Sequence, residues 1–71
     1  MKQSLLKIGI IGLGMGRSHA ITCSTLPGVQ LKALSDANPQ RLADVAKALG
    51  VKETYADGSV MIEKADLDAV V

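Results

Sequence analysis

The sequence predicts an α/β fold in which helices cover the faces of a parallel sheet. Strand-like apolar runs alternate with helical patterns along its 71 residues, in the order strand, helix, strand, helix, short helix, strand. This alternation is typical of parallel strands joined by crossovers. The composition agrees, because 48% of the residues are hydrophobic and the one aromatic residue is Tyr55. Aliphatic side chains of this kind suit helices packed on a sheet and argue against disorder.

The first strand and the first helix are predicted within residues 6–26. Residues 6–11, LKIGII, are apolar almost throughout, as expected of a strand that is covered on both faces. A helix is predicted from Arg17 to about Thr25, and a Pro-Gly pair follows it as a stop signal. Three residues are spaced to share one face of this helix: Ala20, Cys23 and Leu26.

The second strand and the second helix follow directly. Residues 29–34, VQLKAL, are predicted as a strand, after which the chain reaches Asp36. Asn38 can cap the next helix, Pro39 suits its first position, and Gly50 suits its left-handed exit. The apolar residues of this helix fall at i, i+3, i+4 and i+7: Leu42, Val45, Ala46 and Leu49.

The last third of the sequence predicts three short elements. Residues 51–55 form an extended segment, Asp57 can cap a brief helix that runs to about Lys64, and residues 67–71, LDAVV, begin another strand. Because no turn signal follows this apolar strand, we expect it to be cut. Residues 1–71 would then be an incomplete N-terminal domain of a larger protein; the alternative is a small natural domain with an apolar tail.

Gly12, Gly14 and Gly16 lie between the first predicted strand and the first predicted helix. A helix N-terminus presents unpaired N–H groups and partial positive charge, so a turn without side chains lets a pyrophosphate approach. This is the purpose of G-x-G-x-x-G in dinucleotide-binding Rossmann folds, but here Arg17 stands where the third glycine is usual. We expect a loop one residue shorter, in which the first glycine makes the turn, the second admits the ligand, and the third packs on the strand. A glycine-rich turn without a ligand is the alternative.

Asp36 ends the second predicted strand about 20 residues beyond the glycine loop. In a dinucleotide-binding fold, an acidic residue at this place accepts hydrogen bonds from the hydroxyls of the adenosine ribose. The alternative is an ordinary turn residue, because SDANP is rich in turn formers. A carboxylate here would repel a 2′-phosphate, so the sequence favours NAD over NADP. Arg41 could swing over a phosphate, and NADP therefore stays open.

Several segments together resemble the start of a known family: KIGIIGLGMGRSHA, SDANPQRLADVAKALG, ETYAD and KADLDAVV. They are similar to the Gfo/Idh/MocA family of NAD(P)-dependent oxidoreductases, the relatives of glucose–fructose oxidoreductase and inositol dehydrogenase. The resemblance covers almost the whole chain from Lys7. It implies a partial Rossmann fold, with a separate C-terminal substrate domain that is absent here. It also implies hydride transfer between a nicotinamide and a hydroxyl carbon of a sugar, polyol or related small molecule, in a homo-oligomeric parent.

The resemblance also implies roles for particular residues. The family's catalytic Lys, in a Glu-Lys-Pro motif, and its downstream Asp and His should lie beyond residue 71. Lys52 and Lys64 lack that motif, so we expect no catalytic residue here and a cofactor cradle at most. The family pattern places five residues at the cofactor, the last of them at its ribose: Gly12, Gly14, Met15, Gly16 and Asp36.

Charge and composition argue against several other functions. The net charge is +1 and the sequence has no basic tract or aromatic ladder, so nucleic acid is not an expected partner. A single cysteine, Cys23, excludes an intrachain disulfide and metal sites of several thiolates. No run reaches the ~18 apolar residues of a membrane span, and the start reads as a strand and not as a signal peptide, so the expected location is the cytoplasm.

Cys23, Met15 and Met61 are expected to pack, and His19 is expected to pack or hydrogen-bond locally without a catalytic role.

Three other functions remain as alternatives. The G-L-G-M-G segment also fits the loop of S-adenosylmethionine-dependent methyltransferases. Those loops usually have an acidic residue two places before the first glycine, where this sequence has Ile10. A non-enzymatic nucleotide-sensing module would form a complete small fold with a partner surface, which the abrupt apolar end disfavours. An inert fragment would be too unstable to bind anything.

Overall fold

The computed structural model describes residues 5–71 and contains four strands and three helices in this range. Residues 1–4, the start of the segment that reads as a strand and not as a signal peptide, lie outside it. The elements follow the predicted order: β1 Leu6–Ile11, α1 Arg17–Thr25, β2 Val29–Ser35, α2 Pro39–Leu49, β3 Glu53–Tyr55, α3 Gly58–Lys64 and β4 Ala69–Val70.

All four strands form one parallel sheet in the order β3-β2-β1-β4. The prediction of a parallel α/β sheet is confirmed. From β1 the chain passes outward through β2 to β3, then crosses back so that β4 pairs with the other edge of β1. The direction of winding therefore reverses between β1 and β4. In open α/β sheets, ligands bind beyond the carboxyl ends of the strands at such a reversal.

Two apolar cores lie on opposite faces of the sheet. The larger core joins α1 and α2 to one face, with Ile8 and Ile10 of β1 pointing into it. Gly9, between them, faces α3, and a Cβ added there would lie 2.6 Å from Leu67 Cδ1 and 2.9 Å from Met61 Cε. The absent side chain lets α3 approach the sheet. The smaller core is built on Ala33, Met61 and Ala65. β1 is therefore covered on both faces, as its apolar sequence predicts.

Local signals set the bounds of α2 and α3. The Asn38 side chain accepts hydrogen bonds from the N–H groups of Gln40 and Arg41, and Pro39 takes the first position of α2. Gly50 ends α2 with a left-handed φ of +71°. The Asp57 side chain accepts from the N–H of Ser59 at the start of α3. The expected apolar face of α2 is confirmed, because its four residues are buried or packed against the larger core.

Two packing expectations need correction. Leu26 does not extend the buried face of α1, because it follows the last helical residue in extended conformation and is exposed. Met15 does not pack, because it lies in the turn before α1 and the residue is 93% exposed. Cys23 packs against the larger core as expected, although it is only partly buried. Met61 packs as expected and is fully buried. Within residues 5–71, each helix is too short or too polar to traverse a lipid bilayer.

Candidate cofactor-binding site

The candidate site lies at the carboxyl ends of β1 and β2, where the winding of the sheet reverses. β1 ends at Ile11, and the N–H of Gly12 donates to the carbonyl of Ser35 at the end of β2, at 2.9 Å. On the other side, the N–H of Ile11 donates to the carbonyl of Val71 at 3.0 Å. The glycine loop, residues 12–16, therefore starts from a point that is fixed on both sides.

The glycine loop is one residue shorter than the usual pattern, and the structure shows how it closes. Gly12 makes the turn with a φ of +81°, a conformation that favours glycine. The N–H of Gly16 then donates to the Gly12 carbonyl at 3.0 Å. A Cβ at Gly16 would lie 2.3 Å from that carbonyl oxygen and 3.0 Å from Ile10 Cγ2, so no side chain fits. The third glycine thus takes the close-packing position despite its shifted place in the sequence.

The N-terminus of α1 differs from those of α2 and α3. Among the helices in residues 5–71, α1 is the one whose N-cap makes no side-chain hydrogen bond. Like the other two helices, it has no acidic residue in its first turn. Its N-cap is Gly16, which has no side chain to offer. The amide groups and the positive end of the dipole are therefore left to other partners, and an anion is the partner that this environment favours.

Asp36 lies next to this loop, as its position after β2 predicts. The N–H of Leu13, inside the loop, donates to Asp36 Oδ2 at 3.1 Å, and the N–H of Asn38 donates to Oδ1 at 3.0 Å. The two backbone groups fix the carboxylate at the point where the loop and the end of β2 meet. The structure therefore brings together four of the predicted site residues. The three glycines lie in the loop, and Asp36 contacts the loop through the N–H of Leu13.

Arg41 completes the surroundings of Asp36, and this contact was not predicted. Its Nε donates to Oδ2 at 2.6 Å and its Nη2 donates to Oδ1 at 3.0 Å, a bidentate arrangement. The Arg41 guanidinium, with the N–H of Asn38, holds the pKa of Asp36 well below its usual range. The sequence suggested instead that Arg41 could swing over a phosphate of the cofactor. The available signal was the placement of Arg41 in the first turn of α2, five residues after the acid.

A cleft of about 450 Å³ opens beside the glycine loop. His19 lines this cleft and is exposed, so of the two expectations, packing or a local hydrogen bond, packing is wrong. Met15, although it does not pack, also borders the cleft. The complete lining is Ile11, Gly12, Gly14, Met15, Gly16, His19 and Val71.

Lys52 and Lys64 lie far from this site. Lys52 precedes β3 and lines a separate groove at the amino end of β2 and β3. Lys64 is the last residue of α3, which leads back to the start of β4. Both therefore lie at the opposite end of the sheet from the glycine loop.

The donor set of the site fits the ADP portion of a dinucleotide. The uncapped amides of α1 suit a pyrophosphate, and Gly14 places no side chain of its own in the path of a ligand. The ionised carboxylate of Asp36 can accept from ribose hydroxyls. Fold and site together define the chain as a dinucleotide-binding α/β unit of the Rossmann type.

Comparison with known proteins identifies the family. Residues 6–71 match the Gfo/Idh/MocA oxidoreductase family, described as having an NAD-binding Rossmann fold. The chain belongs to this family, and the resemblance inferred from the sequence is confirmed. The family description also agrees with the prediction of NAD as the cofactor.

The most similar curated relatives include inositol dehydrogenases. The chain is 42% identical over 69 residues to inositol 2-dehydrogenase from Pseudomonas savastanoi pv. phaseolicola, and 37% identical over 67 residues to myo-inositol 2-dehydrogenase from Thermotoga maritima. In both cases the match covers 93% of this chain and 20% of the relative. The chain thus spans about one fifth of the length of these relatives.

Solved structures agree with this assignment. The apo scyllo-inositol dehydrogenase of Lactobacillus casei superposes with a TM-score of 0.91 at 40% identity, over 99% of this chain and 21% of that one. The same enzyme with bound NAD(H) and scyllo-inositol gives a TM-score of 0.88 at 39% identity, over 94% and 20%. The four strands and three helices described above therefore superpose on part of these dehydrogenase structures.

Proposed function

We propose that this chain binds the ADP portion of NAD at residues 12–16 and Asp36, as the cofactor-binding part of a dehydrogenase that acts on a polyol. The observation that carries the proposal is the position of the Asp36 carboxylate, 3.1 Å from the N–H of Leu13 within the glycine loop. One bound nucleotide can therefore contact the loop and the carboxylate together. The whole segment, residues 1–71, would serve as the N-terminal part of a longer protein with a C-terminal substrate domain.

Each site residue has a separate part in holding the cofactor. Gly12 and Gly16 shape the loop, and the backbone of Gly14 and Met15 borders the pyrophosphate at the start of α1. Asp36 accepts hydrogen bonds from the adenosine ribose. The cofactor supplies the hydride acceptor or donor. The chain's own residues bind and orient it, which lowers the entropic cost of bringing the reacting carbon and the nicotinamide together.

The substrate class is inferred from the relatives. Inositol is a cyclic polyol, and the Lactobacillus casei enzyme is described with NAD(H) and scyllo-inositol bound. The proton relay that such an oxidation needs is expected beyond residue 71, so the chain by itself is expected to be catalytically inactive. A cytoplasmic location and a homo-oligomeric parent stay predictions.

NAD is proposed in preference to NADP, because Asp36 would face a 2′-phosphate with a like charge. The methyltransferase alternative is not favoured, since the family match points to oxidoreductases and Ile10 is fully buried in β1, where those enzymes usually carry an acid. A nucleotide-sensing module has no specific observation in its support.

Calorimetric titration of the chain with NADH, NADPH and S-adenosylmethionine tests the proposal. We expect binding of NADH, weaker binding of NADPH, and none of S-adenosylmethionine. Asp36→Asn should weaken NADH binding about tenfold or more, because it removes the charged acceptor. Asp44→Asn, the same change at an exposed position of α2, should leave it unchanged.

Circular dichroism distinguishes a chain that does not fold from a folded chain that does not bind NADH. At about 100 times the dissociation constant, NADH should add about 2.7 kcal/mol to the free energy of unfolding and raise the melting temperature. A folded chain that binds no NADH, or that binds only S-adenosylmethionine, would contradict the proposal. A chain with no cooperative transition, with or without NADH, would support the inert-fragment alternative.

A further inference from the structure

The acceptor positions of the Asp36 carboxylate are all in use. Oδ2 accepts from the N–H of Leu13 at 3.1 Å and from Arg41 Nε at 2.6 Å. Oδ1 accepts from the N–H of Asn38 at 3.0 Å and from Arg41 Nη2 at 3.0 Å. An ionised carboxylate has about four acceptor positions. A ribose hydroxyl can therefore bind Asp36 only after one of these donors has left.

The four hydrogen-bond donors to Asp36 differ in how easily they can move away from the carboxylate. Leu13 and Asn38 donate from the backbone, and their N–H groups are fixed by the glycine loop and by the cap of α2. The other two hydrogen bonds come from one guanidinium at the end of a flexible side chain. The Arg41 side chain is 42% exposed, whereas that of Asp36 is 4% exposed. Arg41 is therefore the partner that can be displaced without opening the fold.

The Arg41 guanidinium also extends over the glycine loop. A Cβ added to Gly14 would lie 3.4 Å from Arg41 Nη1 and 3.5 Å from Cζ. The side chain thus spans the distance between Asp36 and the middle of the loop. This is the space in which a nucleotide would have its ribose and the neighbouring phosphate.

We propose that these two hydrogen bonds from Arg41, here called the Arg41 clamp, close the ribose site in the free chain and must open before the nucleotide binds. This inference rests on the proposed function, because it assigns the ribose to Asp36. When the clamp opens, the backbone N–H groups of Leu13 and Asn38 keep the carboxylate in place. The freed acceptor positions then take the ribose hydroxyls.

The clamp has a measurable consequence for affinity. A ligand that binds only the open form has an apparent dissociation constant equal to the intrinsic value divided by the fraction that is open. Loosening the clamp should therefore strengthen binding of NADH, the opposite of what is expected if Arg41 is simply a ligand contact. The low pKa of Asp36 is consistent with a clamp that is closed in the free chain.

Three variants test the clamp. Arg41→Met removes the guanidinium and keeps much of the aliphatic stem. Arg41→Lys keeps the charge but cannot form the bidentate pair. Lys47→Met is the matched control, because it removes one positive charge from an exposed position in the last turn of the same helix. Thermal unfolding followed by circular dichroism establishes that each variant folds.

The first readout needs no cofactor. Heteronuclear NMR of the free wild-type chain should show an Arg41 Nε–H that is protected from exchange, and carbon spectra should show the pKa of Asp36 moving toward its ordinary value in Arg41→Met. An unprotected Arg41 Nε–H would overturn the clamp, whatever the chain binds.

The second readout is the affinity for NADH, measured at about 0.1 M and at about 0.5 M salt so that long-range attraction of the phosphates is screened in the second condition. We expect Arg41→Met to bind NADH about threefold or more tightly than wild type at the higher salt, Arg41→Lys to lie between them, and Lys47→Met to match wild type. If wild type binds NADH and Arg41→Met binds it equally or more weakly, the clamp is wrong and the proposed function stands. If neither folded chain binds NADH, the proposed function fails and the clamp fails with it.

Discussion

Gly16→Ala tests the shortened loop directly, because the structure leaves no room for a methyl group at this position. The added Cβ would lie 2.3 Å from the carbonyl oxygen of Gly12, a backbone atom that cannot rotate away, and 3.0 Å from Ile10 Cγ2. To reach a separation of 3.0 Å, the turn must open by about 0.7 Å and strain the hydrogen bond between Gly16 and Gly12. Overpacking of this kind typically costs about 1–3 kcal/mol.

That cost is large for a chain of this size. A stability of about 0.05–0.15 kcal/mol per residue gives about 4–11 kcal/mol in total. For a domain of this length each kcal/mol corresponds to about 4–8 °C, so Gly16→Ala should lower the melting temperature by about 4–24 °C. The assay is thermal unfolding followed by circular dichroism, with urea unfolding to obtain the free energy.

Gly14→Ala is the matched control, two residues away in the same loop. The nearest atoms to a Cβ there belong to the Arg41 guanidinium, at 3.4 Å, which is the movable end of a long side chain. We expect a change in the free energy of unfolding of less than about 1 kcal/mol, but weaker NADH binding, because the methyl group would face the ligand. Equal melting temperatures for wild type and Gly16→Ala, or a larger loss in Gly14→Ala, would refute the loop geometry.

Two further predictions concern stability. Asn38→Ala removes the side-chain acceptor for the first N–H groups of α2, and we expect the free energy of unfolding to fall by about 1 kcal/mol in urea titrations, against no change for an alanine at exposed Gln30. Asp36 has a lowered pKa in the folded chain, so its contribution is present above its unfolded pKa of about 4 and is lost as pH falls further. Wild type should therefore lose stability below about pH 4 more steeply than Asp36→Asn, and parallel pH profiles would contradict this assignment.

Most of the element order could be predicted because the residues that begin and end helices act locally. Asn38, Pro39 and Gly50 mark α2 through interactions within a few residues of each helix end, and the structure shows these caps as expected. β3 is harder, because its extended segment at residues 51–55 pairs with β2 only from Glu53 onward. Strand pairing depends on the neighbouring strand, so the sequence of the segment alone does not show which of its residues pair.

The glycine loop was predictable in outline because glycine positions report backbone constraints. The shift of Gly16 by one residue predicts a shorter loop, and the short distance that a Cβ would have to the Gly12 carbonyl shows why no other residue fits. The exposure of Met15 was not foreseen, since hydrophobicity alone does not tell on which side of a tight turn a side chain lies. The Asp36–Arg41 pair was also missed, because it links two segments whose relative position only the packing of α2 defines.

The central position of β1 has a consequence for biosynthesis. Its neighbour β2 follows after a single helix, but its other neighbour, β4, begins only at Ala69. While the nascent chain leaves the ribosome, β1 can pair with β2 at once, whereas its second edge stays open until residues 69–71 arrive and the Ile11 amide meets the carbonyl of Val71. The β4 edge of β1 is therefore paired later than its β2 edge, and until then the strand LKIGII has one unpaired edge that other chains could join.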